Sequence, residues 1–176
     1  MTTDGSRIAT IAPENLTPEQ STILEAVQKG RGFLPRPFLV WLHNPKLAEP
    51  MEGIGTYLNT GSTLSEREFE ISIAVAARLL SSEFPLAAHL RNLEKAGHPP
   101  AVIEAIRDGK TPPLATERER VIYEITLTAF DAEPASDKLF DRAVAALGRD
   151  GLADLIALIG YYTGVCLAMK IHRVPA

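Results

Sequence analysis

The chain has 176 residues, a formal net charge of -4 and 45% hydrophobic residues. That is enough apolar material for one ordinary domain with its own core, and the absence of any basic block or aromatic–basic stripe excludes nucleic acid as an expected partner. The lone cysteine, Cys166, excludes an internal disulfide and any two-cysteine redox cycle, and fits a reducing, cytoplasmic setting.

Residues 1–15 read as a flexible N-terminal arm, and residues 16–176 as a single domain. Met1 to Ala12 is polar and lacks the apolar centre of a signal peptide. Thr17-Pro18-Glu19-Gln20 opens the first helix: Thr17 can cap, Pro18 suits the first helical position and Gln20 can complete a capping box. Gly30 and Gly32 end it. Pro35 and Pro37 stiffen a connector into the short apolar segment Phe38 to Leu42, and a further helix runs from Pro45 to about Asn59.

Ser65-Glu66-Arg67-Glu68 is a second capping box. The helix behind it, Phe69 to Leu80, is apolar nearly all round, as helices buried on most sides are. Ser81-Ser82 breaks it and can cap the next helix, in whose first turn Pro85 costs little and which Gly97 stops. A short helix spans Ala101 to Arg107. Thr116-Glu117-Arg118-Glu119 is a third capping box, for a helix to Phe130. Ser136 or Asp137 starts another that ends at Gly148, and the last begins near Asp150. The most apolar stretch, Leu152 to Met169, has a charge-free run shorter than the ~20 residues of a spanning helix, so it reads as a core or subunit-interface helix. No segment alternates with period two. The expectation is an all-α bundle of about eight helices with antiparallel neighbours, and no membrane span.

Two ionisable residues stand among small and apolar neighbours. Glu70 shares its face with Ile73, Ala74 and Ala77; His89 lies in Pro85-Leu86-Ala87-Ala88-His89-Leu90. If the two helices form a hairpin about Ser81-Ser82, the positions differ in height by about one turn at ~1.5 Å per residue. A Glu and a His can then meet in a mostly apolar cleft, with the alanines leaving room for a small molecule. Such a pair suits proton transfer; the alternative is an ion pair that only holds the core together.

These residues carry a resemblance. Leu64 to Ile71, Ser82 to His89 and Ala96-Gly97 are similar to the carboxymuconolactone decarboxylase family of the alkyl-hydroperoxidase D-like superfamily. The family pattern is a Glu near the start of one helix, a two-position site twelve residues on that is Cys-x-x-Cys in the peroxidase branch, and a His four residues further. Glu70, Ser82, Pro85 and His89 take those places, and Phe84 stands where many thiol-free relatives have Tyr.

The resemblance implies an alkyl-hydroperoxidase D-like fold and a homo-oligomer, a trimer or a hexamer. It implies a lyase acting on a small carboxylated lactone or related acid, with His89 as general acid/base and Glu70 orienting it. Ser82, Phe84 and Arg78 are the candidate substrate-binding residues; Arg78 reads more readily as a side chain reaching for the surface. Neither a cofactor nor a metal is expected, because His43, His98 and His172 are scattered and read as helix-end or solvated residues. Ser82 and Pro85 supply no sulfur, so peroxidase chemistry is not expected, and Cys166 reads as a packing residue. A non-catalytic binding or assembly role stays open beside the lyase.

Overall fold

The computed structural model describes residues 5–9, 11–32 and 34–175. Residues 1–4 and 10 of the expected arm, and positions 33 and 176 of the expected domain, lie outside the described residues. Among the described residues there are eight α-helices, one 3-10 turn (Pro13–Asn15) and no strand. The helices are α1 (Pro18–Arg31), α2 (Phe38–Trp41), α3 (Pro45–Thr60), α4 (Glu66–Leu79), α5 (Glu83–Lys95), α6 (Pro100–Asp108), α7 (Glu117–Thr128) and α8 (Asp137–Ile171). The all-α expectation is therefore met. The chain divides into two compact units, Met1–Gly61 with Ile171–Pro175, and Ser62–Lys170.

In the first unit the capping box of α1 is complete. Gln20 N–H donates to Thr17 Oγ1 at 3.2 Å, and Thr17 N–H donates to Gln20 Oε1 at 2.9 Å. The Gln20 amide also donates to the Leu42 carbonyl at 3.0 Å, so the residue that closes the cap fixes the end of α2. Ile23, Val27, Phe38, Leu42 and Ala48 pack into one core. Within the expected arm, Ile8 is buried and the Arg7 N–H donates to the His172 carbonyl at 2.7 Å.

In the second unit α4 is central and packs against α5, α7 and α6. Every residue from Glu68 to Ala77 is buried, and each fully buried Ile or Val there contributes roughly 1.5–3 kcal/mol. The capping boxes of α4 and α7 grip each other. Arg118 forks onto Glu68 at 2.6 and 3.1 Å, and Arg67 reaches Glu119 at 3.1 Å. Each capping glutamate thus serves its own helix start and binds the arginine of the other. Burial pushes the Glu68 carboxyl up, but Arg118 and the Ser65 backbone outweigh it and hold the group below the usual carboxylate range. Burial likewise opposes, and the Thr116 backbone, Arg67 and the Ala115 backbone overcome, for Glu119.

Asp154 in α8 is buried and accepts from the Thr63 N–H at 2.7 Å and the Thr63 hydroxyl at 2.8 Å. By length and composition alone helix α8 is long and apolar enough to cross a membrane, a test that a core helix also passes. Half of its most apolar window is nevertheless buried within the protein, and Gly148 (φ 74°) breaks it into the two helices expected from sequence.

His98 departs from its solvated expectation: it is 5% exposed. Gly97 takes φ 81° and the His98 N–H closes back onto the Leu93 carbonyl at 3.0 Å, folding the ring under the start of α4. Its Nε2 lies 3.1 Å from the Arg67 carbonyl and its Nδ1 3.2 Å from the Arg67 guanidinium. Nε2 must donate and Nδ1 must accept, so the ring is neutral. Burial, with the Arg67 charge adding to it, holds this imidazole below its usual value of 6.5, against the opposing pull of the Arg67 carbonyl and Glu119.

A depressed folded-state value means the unfolded chain takes up the proton first, so stability falls as pH drops below about 6.5. Denaturation midpoints at pH 7.5 and 5.5 should show that loss, and His98→Gln should flatten it. Equal stability of the wild type at both pH values would refute the assignment. A second loss is expected below about pH 4.5, where the unfolded chain takes up protons at Glu68 and Glu119 before the folded protein does.

Candidate functional site

The turn between α4 and α5 places the site. Ser81 adopts φ 50°, a left-handed conformation that costs a non-glycine residue roughly 1 kcal/mol, and the Ser82 N–H closes onto the Ala77 carbonyl at 2.9 Å. Two groups from α8 hold this turn. Lys170 Nζ donates to the Leu80 carbonyl at 3.0 Å, and the Ser82 hydroxyl donates to the Cys166 carbonyl at 3.0 Å. The chain reverses sharply, and α5 returns along α4.

That reversal brings His89 Nδ1 to 2.6 Å from Glu70 Oε2. The side chains are 13% and 8% exposed. A carboxylate only accepts, so Nδ1 donates and Nε2 is the nitrogen left for other chemistry. Two further residues, neither picked out from sequence, complete the group. Asn92 Nδ2 donates to Glu70 Oε1 at 3.3 Å. The ring of Tyr162 stands perpendicular to the imidazole, at 88° and 5.3 Å between centroids, and meets Phe69 edge-on at 5.7 Å. Asn92 was legible in principle as an amide one turn beyond His89 on the face turned to α4. Tyr162 was not, since nothing local ties it to α5.

The remaining candidates go elsewhere. Ser82 is buried; it makes no side-chain cap to α5, and its hydroxyl donates to the Cys166 carbonyl. Phe84 is half-buried in the first turn of α5. Arg78 lies about 12 Å along α4 from Glu70, and its Nε donates to the Arg107 carbonyl at 3.0 Å, closing the end of α6. Of the alanines expected to leave room beside the pair, Ala74 and Ala77 are fully buried, while Ala87 and Ala88 are half-buried. His43 is exposed, with Nε2 3.0 Å from the Ala9 carbonyl. Among the described residues no three His, Cys, Asp or Glu side chains converge as metal ligands would. A groove of about 360 Å³ opens by the start of α7, but its arginines are engaged: Arg118 with Glu68, and Arg142 with Glu117 and Glu124.

Several solved structures share this architecture. An uncharacterized peroxidase-related protein from Silicibacter sp. TM1040 matches with a TM-score of 0.74 at 16% identity, over 98% of this chain and 91% of that one. The debrominase Bmp8 matches with a TM-score of 0.71 at 13% identity, over 94% and 89%. A protein of unknown function from Agrobacterium tumefaciens, with the antioxidant-defence protein AhpD as its suggested identity, matches with a TM-score of 0.63 at 17% identity, over 75% and 91%. No family model matches the sequence, and no curated protein does. The chain therefore has the alkyl-hydroperoxidase D-like fold.

Cys166 is fully buried; burial pushes its thiol up to about 11, with the Ser82 hydroxyl acting in the opposite sense. At pH 8 only about one thiol in a thousand would be ionised, even before access is considered. The native protein should resist iodoacetamide at pH 8 and take up one equivalent once unfolded. Full labelling of the native state within minutes would contradict this.

Proposed function

We propose that the protein is a thiol-independent lyase of carboxymuconolactone decarboxylase type, acting on a small carboxylated lactone or a related acid. The observation that carries this is the 2.6 Å His89–Glu70 contact in a chain whose matching cysteine positions hold Ser82 and Pro85. As carbon dioxide leaves, the C–C bonding pair passes into the conjugated carbonyl of the substrate. The resulting carbanion takes its proton at carbon from His89 Nε2. Nδ1–H stays on Glu70 throughout, which stabilises the doubly protonated ring before transfer and the correct neutral form after it. A cysteine-to-alanine variant of the debrominase Bmp8 is known in complex with 2,3,4-tribromopyrrole, a small planar ring of the size class proposed here.

The test is carbon dioxide release from a panel of carboxylated lactones. His89→Gln should lower kcat by about 10²–10⁴-fold while the melting temperature stays within a few degrees of wild type; Glu70→Gln should be milder. No release by the wild type, or equal release by His89→Gln, would remove the reading. Neither protein should consume alkyl hydroperoxide with a dithiol donor.

We also propose a homo-oligomer. Ile156 and Leu167 of α8 are 60% and 43% exposed, and Ala153, Ala157 and Gly160 share their exposed face at helical spacing. Light scattering should report more than one chain per particle at micromolar concentration, and Ile156→Glu should shift it toward one. A wild-type monomer would contradict this.

A further inference from the structure

Helix α5 contacts Glu70 twice. His89 takes one carboxylate oxygen, and Asn92, three residues further on the same face, takes the other. Glu70 itself is buried among the apolar residues of α4. A carboxylate held at one oxygen can rotate about its last bond; held at both by one helix, it cannot. The amide nitrogen of Asn92 has hydrogens and no lone pair to offer, so Oε1 must accept. An ionised Glu70 has no hydrogen to give, so the hydrogen between Nδ1 and Oε2 then belongs to the ring. Tyr162, perpendicular to the imidazole, fixes the plane in which that hydrogen points. Among the described residues no side chain hydrogen bonds Nε2, so the whole arrangement presents one nitrogen.

We propose that Asn92 is the positioning residue of this site: it locks the Glu70 carboxylate and thereby holds neutral His89 in the one form whose Nε2 is free to take up the proton that it later passes on. The consequence for catalysis rests on the lyase reading above, whereas the effect on the ring does not.

The effect on the ring is therefore measured first, on the free protein. Long-range ¹H–¹⁵N spectra of protein labelled in histidine, recorded at pH 8, should show His89 with its hydrogen on Nδ1 alone. Asn92→Leu should give a resolved mixture containing the form protonated on Nε2. Asn92→Asp keeps the size of the side chain but removes the donor, and should give the mixture too. If the leucine variant fails to fold, the aspartate variant carries the measurement alone. An aspartate variant that keeps the wild-type spectrum overturns the proposal, because size would then suffice. With substrate, Asn92→Leu, or Asn92→Asp in its place, should lose about tenfold in kcat with KM within threefold, the order of loss when a residue that orients a metal-bound histidine is removed. Absence of wild-type turnover would defeat the lyase reading and leave the spectra to decide the role of Asn92.

Discussion

Two four-residue segments, Ser65-Glu66-Arg67-Glu68 and Thr116-Glu117-Arg118-Glu119, clamp each other, and the second unit is organised around that exchange. Each segment closes a capping box on its own helix and lends its arginine to the glutamate of the other. A cap alone is worth roughly 1 kcal/mol. The arginines that bind these carboxylates are 36% and 38% exposed, so water takes over part of a lost pairing and each ion pair adds only about 0–1 kcal/mol to its cap. The clamp sets the starts of α4 and α7 side by side. Arg67 extends it to the end of α5 through the Ala96 carbonyl and His98.

That constraint reaches the site because α4 has no free face. Ten consecutive buried residues leave its polar side chains nowhere to go but onto partners. Glu68 finds Arg118, Ser72 meets the Thr126 hydroxyl at 3.0 Å, and Glu70 finds His89 and Asn92. The pair is thus part of the core as well as the candidate chemistry. Pairing must satisfy Glu70 whether or not a substrate arrives, and what distinguishes it from Glu68 is the partner. A guanidinium holds its proton at every working pH, whereas an imidazole can pass one on.

What the sequence disclosed follows the range of the interactions. The three capping boxes, the Gly97 stop, the break at Gly148 and the Glu70–His89 meeting all depend on spacing within one helix or one hairpin, and all are present. Ser82 was read as a cap because Ser prefers that place; it stands at the N-cap of α5 but accepts no cap hydrogen bond, and its hydroxyl is turned to donate to a carbonyl of α8. His98 was read as solvated because it follows a helix stop. The left-handed Gly97 turns it inward instead, onto Arg67, a contact set by tertiary packing. Tyr162 and Asp154 lie on α8, far along the chain from what they touch, so no local pattern announces them.

Ser82 and Pro85, at the two positions that match the Cys-x-x-Cys places of the resemblance, show how the turn is built in this chain. A dithiol that cycles through a disulfide needs an accessible thiol and room for both sulfurs to approach. Ser82 and Pro85 are both buried, and the Ser82 hydroxyl is committed to tying α8 to the turn. Pro85 fixes the first turn of α5, where a missing N–H is no loss. Both residues have become part of the hinge that sets the direction of α5. The direction of α5 decides whether His89 meets Glu70 at hydrogen-bonding distance. The same two places that would move electrons in a dithiol site here hold still the helix that carries His89.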